Sequence, residues 1–194
     1  MNTSSVTIRL VPLVRAFLLI LLLLLVTGCS RSMMTRSDTI VQPDAGYALV
    51  TFVRQSSFGQ MIKPVIWDRD KFVGILAARS YIQYKCPPGK HLFLAQAKNW
   101  AYITADLSAG KHYFIIAKAM PRIWEGRVAL APVKPDSASH LTTDKWLQGL
   151  SAARVIPEKV NRYEKKHRFD VRRAIEQFEV GEVEFSILES TDGI

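Results

Sequence analysis

The chain has 194 residues, 26 Lys and Arg against 17 Asp and Glu, and only two cysteines, Cys29 and Cys86. That length suits one domain with a real core plus an appendage and argues against two full domains. Two cysteines are too few for a disulfide-stapled scaffold, and the basic excess points to anionic partners.

Arg9 and Arg15 precede an uncharged apolar run from Ala16 to Val26, which is followed by Thr27-Gly28-Cys29-Ser30. The run is shorter than the roughly 20 apolar residues that span a bilayer, and basic residues ahead of a short apolar core are the layout of a signal peptide. Leu21 to Ser30 resembles a bacterial lipoprotein signal. The resemblance implies a cut after Gly28, with Val26, Thr27 and Gly28 as the small or apolar residues before it. It also implies lipid, palmitate included, on Cys29 as the first residue of the mature protein. Ser30, not being Asp, implies sorting to the outer membrane on its periplasmic side in enteric-type bacteria. Arg9 and Arg15 would leave with residues 1–28, so 24 basic residues remain against 17 acidic ones. At such an address a basic chain meets anionic headgroups, cell-wall polymers or an acidic envelope protein, and nucleic acid is not an expected partner. Cys29 is then unavailable for an intrachain disulfide, and Cys86, at the end of an apolar strand, reads as a small, half-buried hydrophobe.

Residues 29–46 are polar and lack apolar periodicity, which reads as a flexible tether. Within it, the apolar pair Met33-Met34 reads as lying close to the lipid. From Tyr47 the texture changes to short runs rich in Val, Ile, Phe and Tyr, broken by Gly, Pro and Asp, as in an all-β domain. Tyr47 to Arg54 has apolar residues on both alternating faces and so reads as a central strand. Ile62–Trp67 and Lys71–Leu76 flank Asp68-Arg69-Asp70 as a hairpin. A strand from Ser80 to Lys85 ends at Pro87-Pro88-Gly89, where proline cannot donate to a ladder and glycine supplies a positive φ. Segments 90–98, 101–107, 111–120 and 126–133 complete about eight strands.

The run Val65-Ile-Trp-Asp68, Val73-Gly74-Ile-Leu76, Ser80-Tyr81 and Pro87-Pro88-Gly89-Lys-His91, with Leu107-Ser-Ala-Gly110-Lys-His-Tyr113, resembles a domain-of-unknown-function family of small envelope lipoproteins. That family is similar in turn to PEGA-type β-sandwiches. The likeness covers about residues 46–134, rests on turn chemistry, and implies a fold and no activity. Two departures stand out: Arg69-Asp70 where Asn-Gly would be expected, and Ala78-Arg79 in place of a Gly-containing pair.

Beyond Val133 the texture changes again. Ser139–Leu150 has the pattern of a short helix, and Pro157-Glu158 is a helix start, with proline at the first position and an acid facing the dipole. Val160, Tyr163, His167, Val171, Ala174, Ile175 and Phe178 recur at spacings of three and four, one stripe of a helix, with Phe169 on the opposite side. The other face carries Lys159, Arg162, Lys165, Lys166, Arg168, Arg172 and Arg173. Of these, Lys165, Lys166, Arg172 and Arg173 are the candidate contacts for an anionic surface. Glu182–Leu188 reads as a last edge strand or a frayed tail. The expected architecture is therefore mainly β: an antiparallel β-sandwich of seven or eight strands at 47–134, with C-terminal helices at 135–194 whose removal leaves the sandwich folded.

No catalytic residue, metal ligand or cofactor is expected. The four histidines, His91, His112, His140 and His167, lack ligand spacing, and no nucleophile elbow is present. Asp68, Asp70 and Asp106 fall at turns, where Asp serves the backbone. His91 and His112 would be neighbours only if their strands pair. Trp67, Tyr81, Tyr84, Trp100, Tyr102, Trp124 and Trp146 are numerous enough for a sugar-binding face, with Trp100 the most exposed, but core packing accounts for most of them. The expected function is a lipid-anchored, non-enzymatic binding or structural module of the envelope. The alternative is an envelope hydrolase or metal-dependent enzyme whose site the sequence does not display.

Overall fold

The computed structural model describes residues 32–37, 39–121, 126–135 and 147–194. Its centre is β2, Ala48–Arg54, whose seven residues are all buried. Ala48, Val50 and Phe52 point into the main core, while Val53 points the other way into a cluster with Tyr81, Phe114 and Val133. A strand apolar on both faces can only sit inside a sheet covered on both sides. β2 accordingly pairs antiparallel with β5, Ser80–Cys86, and parallel with β8, His112–Pro121.

Two sheets result. The six-stranded one runs β1 (Met34–Arg36), β10 (Ser151–Val155), β5, β2, β8, β9 (Gly126–Pro132). The five-stranded one runs β11 (Phe185–Leu188), β7 (Trp100–Leu107), β6 (Gly89–Gln96), β3 (Val65–Asp68), β4 (Lys71–Ile75). Between them lies the main core, where Phe52 meets Phe93 edge to face at 5.2 Å. A single long helix, α1 (Pro157–Glu179), covers the outer face of the five-stranded sheet as a third layer.

The fold is mainly β and sandwich-like, but the expectation of antiparallel strands alone is corrected. β10 runs parallel to β5, β2 to β8 and β11 to β7, so both sheets are mixed. The expected helical extension is corrected as well. Among the described residues it holds one long helix, and it also supplies β10, inserted between β1 and β5, and β11 at a sheet edge. Parallel partners need long crossover connections, so their pairing leaves no local hairpin signal. The second expected helix, 139–150, lies outside the described residues up to position 146, as do the signal segment and Cys29. Within the expected tether, Met34–Arg36 forms β1. Met34 there seats over Gly74, where an added Cβ would come within 2.9 Å of the methionine Cε.

The local signals explain the turns and helix ends. In the two pairs that depart from the expected Asn-Gly and Gly-containing turns, Arg69 and Arg79 have φ of 50° and 51°, a left-handed conformation that costs a non-glycine residue about 1–2 kcal/mol. α1 starts at Pro157 after an extended Ile156. It stops at Gly181, φ 77°, whose N–H donates to the Phe178 carbonyl while the Glu182 N–H donates to that of Gln177. Two such backward bonds through a left-handed glycine close the last turn.

The last residues are built into the body. Ile194 exchanges backbone hydrogen bonds with His112, 2.8 and 3.1 Å, and the buried Tyr113 hydroxyl donates to the Ser190 carbonyl. A Cβ at Gly193 would lie 2.6 Å from the Tyr113 ring, which is fully buried and cannot yield. Gly193→Ala is therefore expected to lower stability by about 1–3 kcal/mol in urea unfolding, while Gly46→Ala, which meets only ordinary contact, changes little. Leu188, fully buried on β11, is expected to cost about 2–5 kcal/mol on truncation to Ala. A chain lacking 135–194 should lose cooperative unfolding by near-UV circular dichroism, because it loses β10, α1 and β11 together.

Candidate functional site

The inward face of α1 fixes its outward face. Tyr163 stacks on Trp67 at 5.8 Å and meets Phe72 at 4.5 Å, Phe178 stacks on Tyr102 at 5.8 Å, and Val171 and Ala174 are buried between them. Glu164 Oε1 accepts the Phe72 N–H at 2.9 Å, and Glu179 pairs with Arg69 at 2.9 Å on the surface. The stripe read from the sequence is thus the packed one. His167 lies on this side, and burial holds its imidazole below the ordinary value.

With the rotation set, Lys165, Lys166, Arg172 and Arg173 all stand exposed on the far side, joined by Arg162 and Arg168. At 100° per residue they surround Phe169, which is 67% exposed although it is a large aromatic side chain. The Arg168 guanidinium lies 4.9 Å from the Phe169 ring centre. Glu158, Asp170 and Glu176 are the acids on this face, Asp170 directly beside Phe169 as Arg168 is on its other side. A rigid helix that presents cations around one exposed ring is suited to a surface carrying many phosphates or carboxylates.

A second polar constellation spans the two sheets. Asp68, at the end of β3, accepts at Oδ2 from Tyr84 of β5 (3.0 Å) and from His91 Nδ1 of β6 (2.9 Å). His91 Nε2 faces the Pro87 carbonyl at 2.9 Å. Only the doubly protonated imidazolium donates to both acceptors, and the Asp68 hydrogen bond raises His91 above its ordinary value although burial opposes it. Burial, reinforced by the Asp68 charge, pushes the Tyr84 phenol well up and the Cys86 thiol to about 12. Cys86 is fully buried, more than the half-buried hydrophobe expected. His91 and Asp106 border a groove of about 580 Å³ with Arg69, Lys90, Phe178 and Ile187.

Other candidates are dispersed. His112 is on β8 of the other sheet, 2.7 Å from Thr51 Oγ1, so His91 and His112 do not sit on paired strands. Asp70 lies in the β3–β4 turn. Trp67, Tyr81 and Tyr102 are buried and Trp100 is half-buried, so these rings line the interior instead of a sugar-binding face. Trp124, Trp146 and His140 lie outside the described residues. Among the described residues no group of three or more His, Cys, Asp or Glu could hold a metal, and no helix is long and apolar enough to cross a membrane. Sequence reasoning missed Arg54, whose buried guanidinium donates to the carbonyls of Phe58, Gly59 and Ile62 and so shapes the loop that exposes Phe58 and Met61. A charged residue closing an otherwise apolar strand was the available signal.

The inter-sheet cluster has a defined pH dependence. Because His91 is raised in the folded state, its contribution is full below the ordinary histidine value of 6.5 and is lost as pH rises through the raised value. His167, held low by burial, contributes in the opposite sense, so the difference is the readout: His91→Gln should be weaker than the wild type in urea at pH 5.5, with the gap narrowing by pH 8.5. Asp68→Ala leaves two buried donors without an acceptor and should cost about 1–3 kcal/mol for each. No family model, curated protein or solved structure matches this chain, so its site rests on its own residues and geometry.

Proposed function

We propose that the protein is a lipid-anchored cell-envelope component, held through Cys29 on the periplasmic side of the outer membrane, where it acts as a non-enzymatic binding or structural module. The observation that carries this reading is the apolar run Ala16–Val26 ending in Thr27-Gly28-Cys29-Ser30, with β1 at Met34–Arg36 a few residues further along the chain. Four peptide steps separate Cys29 from Met33, a reach of at most about 14 Å. The Met33 carbonyl accepts the N–H of Ile156, the residue before α1. Lipid on Cys29 would therefore keep the start of α1 close to the bilayer surface, on a leash much shorter than a 29–46 tether implies.

The non-enzymatic half of the reading is supported by how the titratable groups are engaged. The ring nitrogens of His91 face Asp68 and Pro87, and the Tyr84 hydroxyl is committed to the same carboxylate, so this cluster joins the two sheets. The likeness of residues 46–134 to small PEGA-like envelope lipoprotein domains belongs to the same proposal. Partners of this module would be the membrane and, beyond it, an envelope protein or cell-wall polymer.

The address is tested by palmitate labelling and fractionation. The wild type should take up label and fractionate with the outer membrane, and Cys29→Ala should take up none, because Cys29 is the thiol that the signal presents. A labelled Cys29→Ala protein would overturn the reading. Labelled wild type confined to the inner membrane would overturn the sorting alone.

A further inference from the structure

The outward face of α1 combines three properties that are each ordinary and together point to one partner. Its packing against Trp67, Phe72 and Tyr102 fixes its rotation, so the exposed side chains all project from one side. Arg162, Lys165, Lys166, Arg172 and Arg173 are exposed around the ring, and no ion pair among the described residues engages them. Phe169 stands at their centre with two thirds of its surface in water.

A hydrated polyanion would satisfy the cations and leave the ring unused. A bilayer surface uses both, since phosphates take the charges while the ring leaves water for the boundary between headgroups and acyl chains. The start of α1 is also tied to Met33 by the Ile156 N–H bond, within a few residues of Cys29. We propose that this face docks on anionic phospholipid headgroups, with Phe169 entering the headgroup layer and the five cations on the phosphates around it. This deepens the lipid-anchored reading and rests on it for the choice of leaflet, while the charge and the exposed ring carry the docking itself.

The test uses the lipidated protein reconstituted in vesicles of phosphatidylcholine with or without phosphatidylglycerol. Phe169→Cys gives a single reactive thiol for a nitroxide label, because Cys86 is buried with its thiol pushed up to about 12 and Cys29 is blocked by its lipid. Collisions with oxygen should rise, and those with a water-soluble nickel chelate fall, only when phosphatidylglycerol is present. The shift should disappear in high salt. It should also disappear when Lys165, Lys166, Arg172 and Arg173 are replaced by Gln, each lost charge weakening docking about fivefold, the equivalent of about 1 kcal/mol.

A label equally water-exposed in both vesicles would overturn the proposal. So would retention of wild type and Phe169→Ser alike on soluble polyphosphate with no shift on vesicles, which would assign the face to a polymer. Mass spectrometry of the same preparation reads the acyl chains on Cys29 independently. A shifted label without acylation, reproduced with Cys29→Ala so that position 169 carries the reactive thiol, overturns the anchor alone, and an unshifted label with acylation overturns the docking face alone.

Discussion

Trp67 is the residue on which the arrangement of layers turns. It is fully buried at the end of β3, its ring is stacked on Tyr163, and Phe72 meets it edge-on at 5.5 Å. An aromatic of that size needs a cover that the sheets do not supply, because it points away from the core they share. α1 is that cover, and the stacking allows the helix one rotation about its axis. Everything presented to solvent by α1 follows, including the ring of Phe169 opposite the seam.

The sheets expose four edges, and each is blunted. β1 has three residues and β11 four, too short to template another strand. On β4, the Phe72 N–H is taken by Glu164 and the Ile75 N–H faces the Met34 sulfur at 3.2 Å. On β9, Asn99 pairs with Val128 as a strand would, accepting its N–H at 2.8 Å and donating to its carbonyl at 2.9 Å. The Lys98 N–H takes the Gly126 carbonyl and the Ser186 hydroxyl that of Leu130. A β-rich chain concentrated at a surface is prone to edge-to-edge pairing, and these side chains occupy the groups that such pairing needs.

Charge is used in two ways. Inside, Asp68 with His91 and Tyr84, and Arg54 with three loop carbonyls, are polar contacts that hold elements in place where burial makes an unmet donor or acceptor costly. Outside, the α1 cations are solvated, contribute little to the fold, and remain available to a partner. The same residue types therefore carry different roles, and depth of burial decides between them.

The sequence by itself determined the β character of 47–134, the central place of β2, the hairpin at Asp68–Lys71, the positive φ of Gly89, the start of α1 at Pro157 and both faces of that helix. Each of these is written in local periodicity, proline or glycine, and so survives without knowledge of distant residues. Tertiary structure alone decided the rest. Ser151–Val155 has two alanines and two polar residues, too little apolar signal to announce a strand, yet β5 has an open edge that it fills in parallel. Met34 packs against the core because Gly74 leaves room for it, and of the two readings of Glu182–Leu188, edge strand or frayed tail, the open edge of β7 decided for the strand. Lys165, Lys166, Arg172 and Arg173 were legible as one face of a helix. That Phe169 stands exposed among them was decided only by Trp67, 102 positions earlier in the chain, taking up the opposite face.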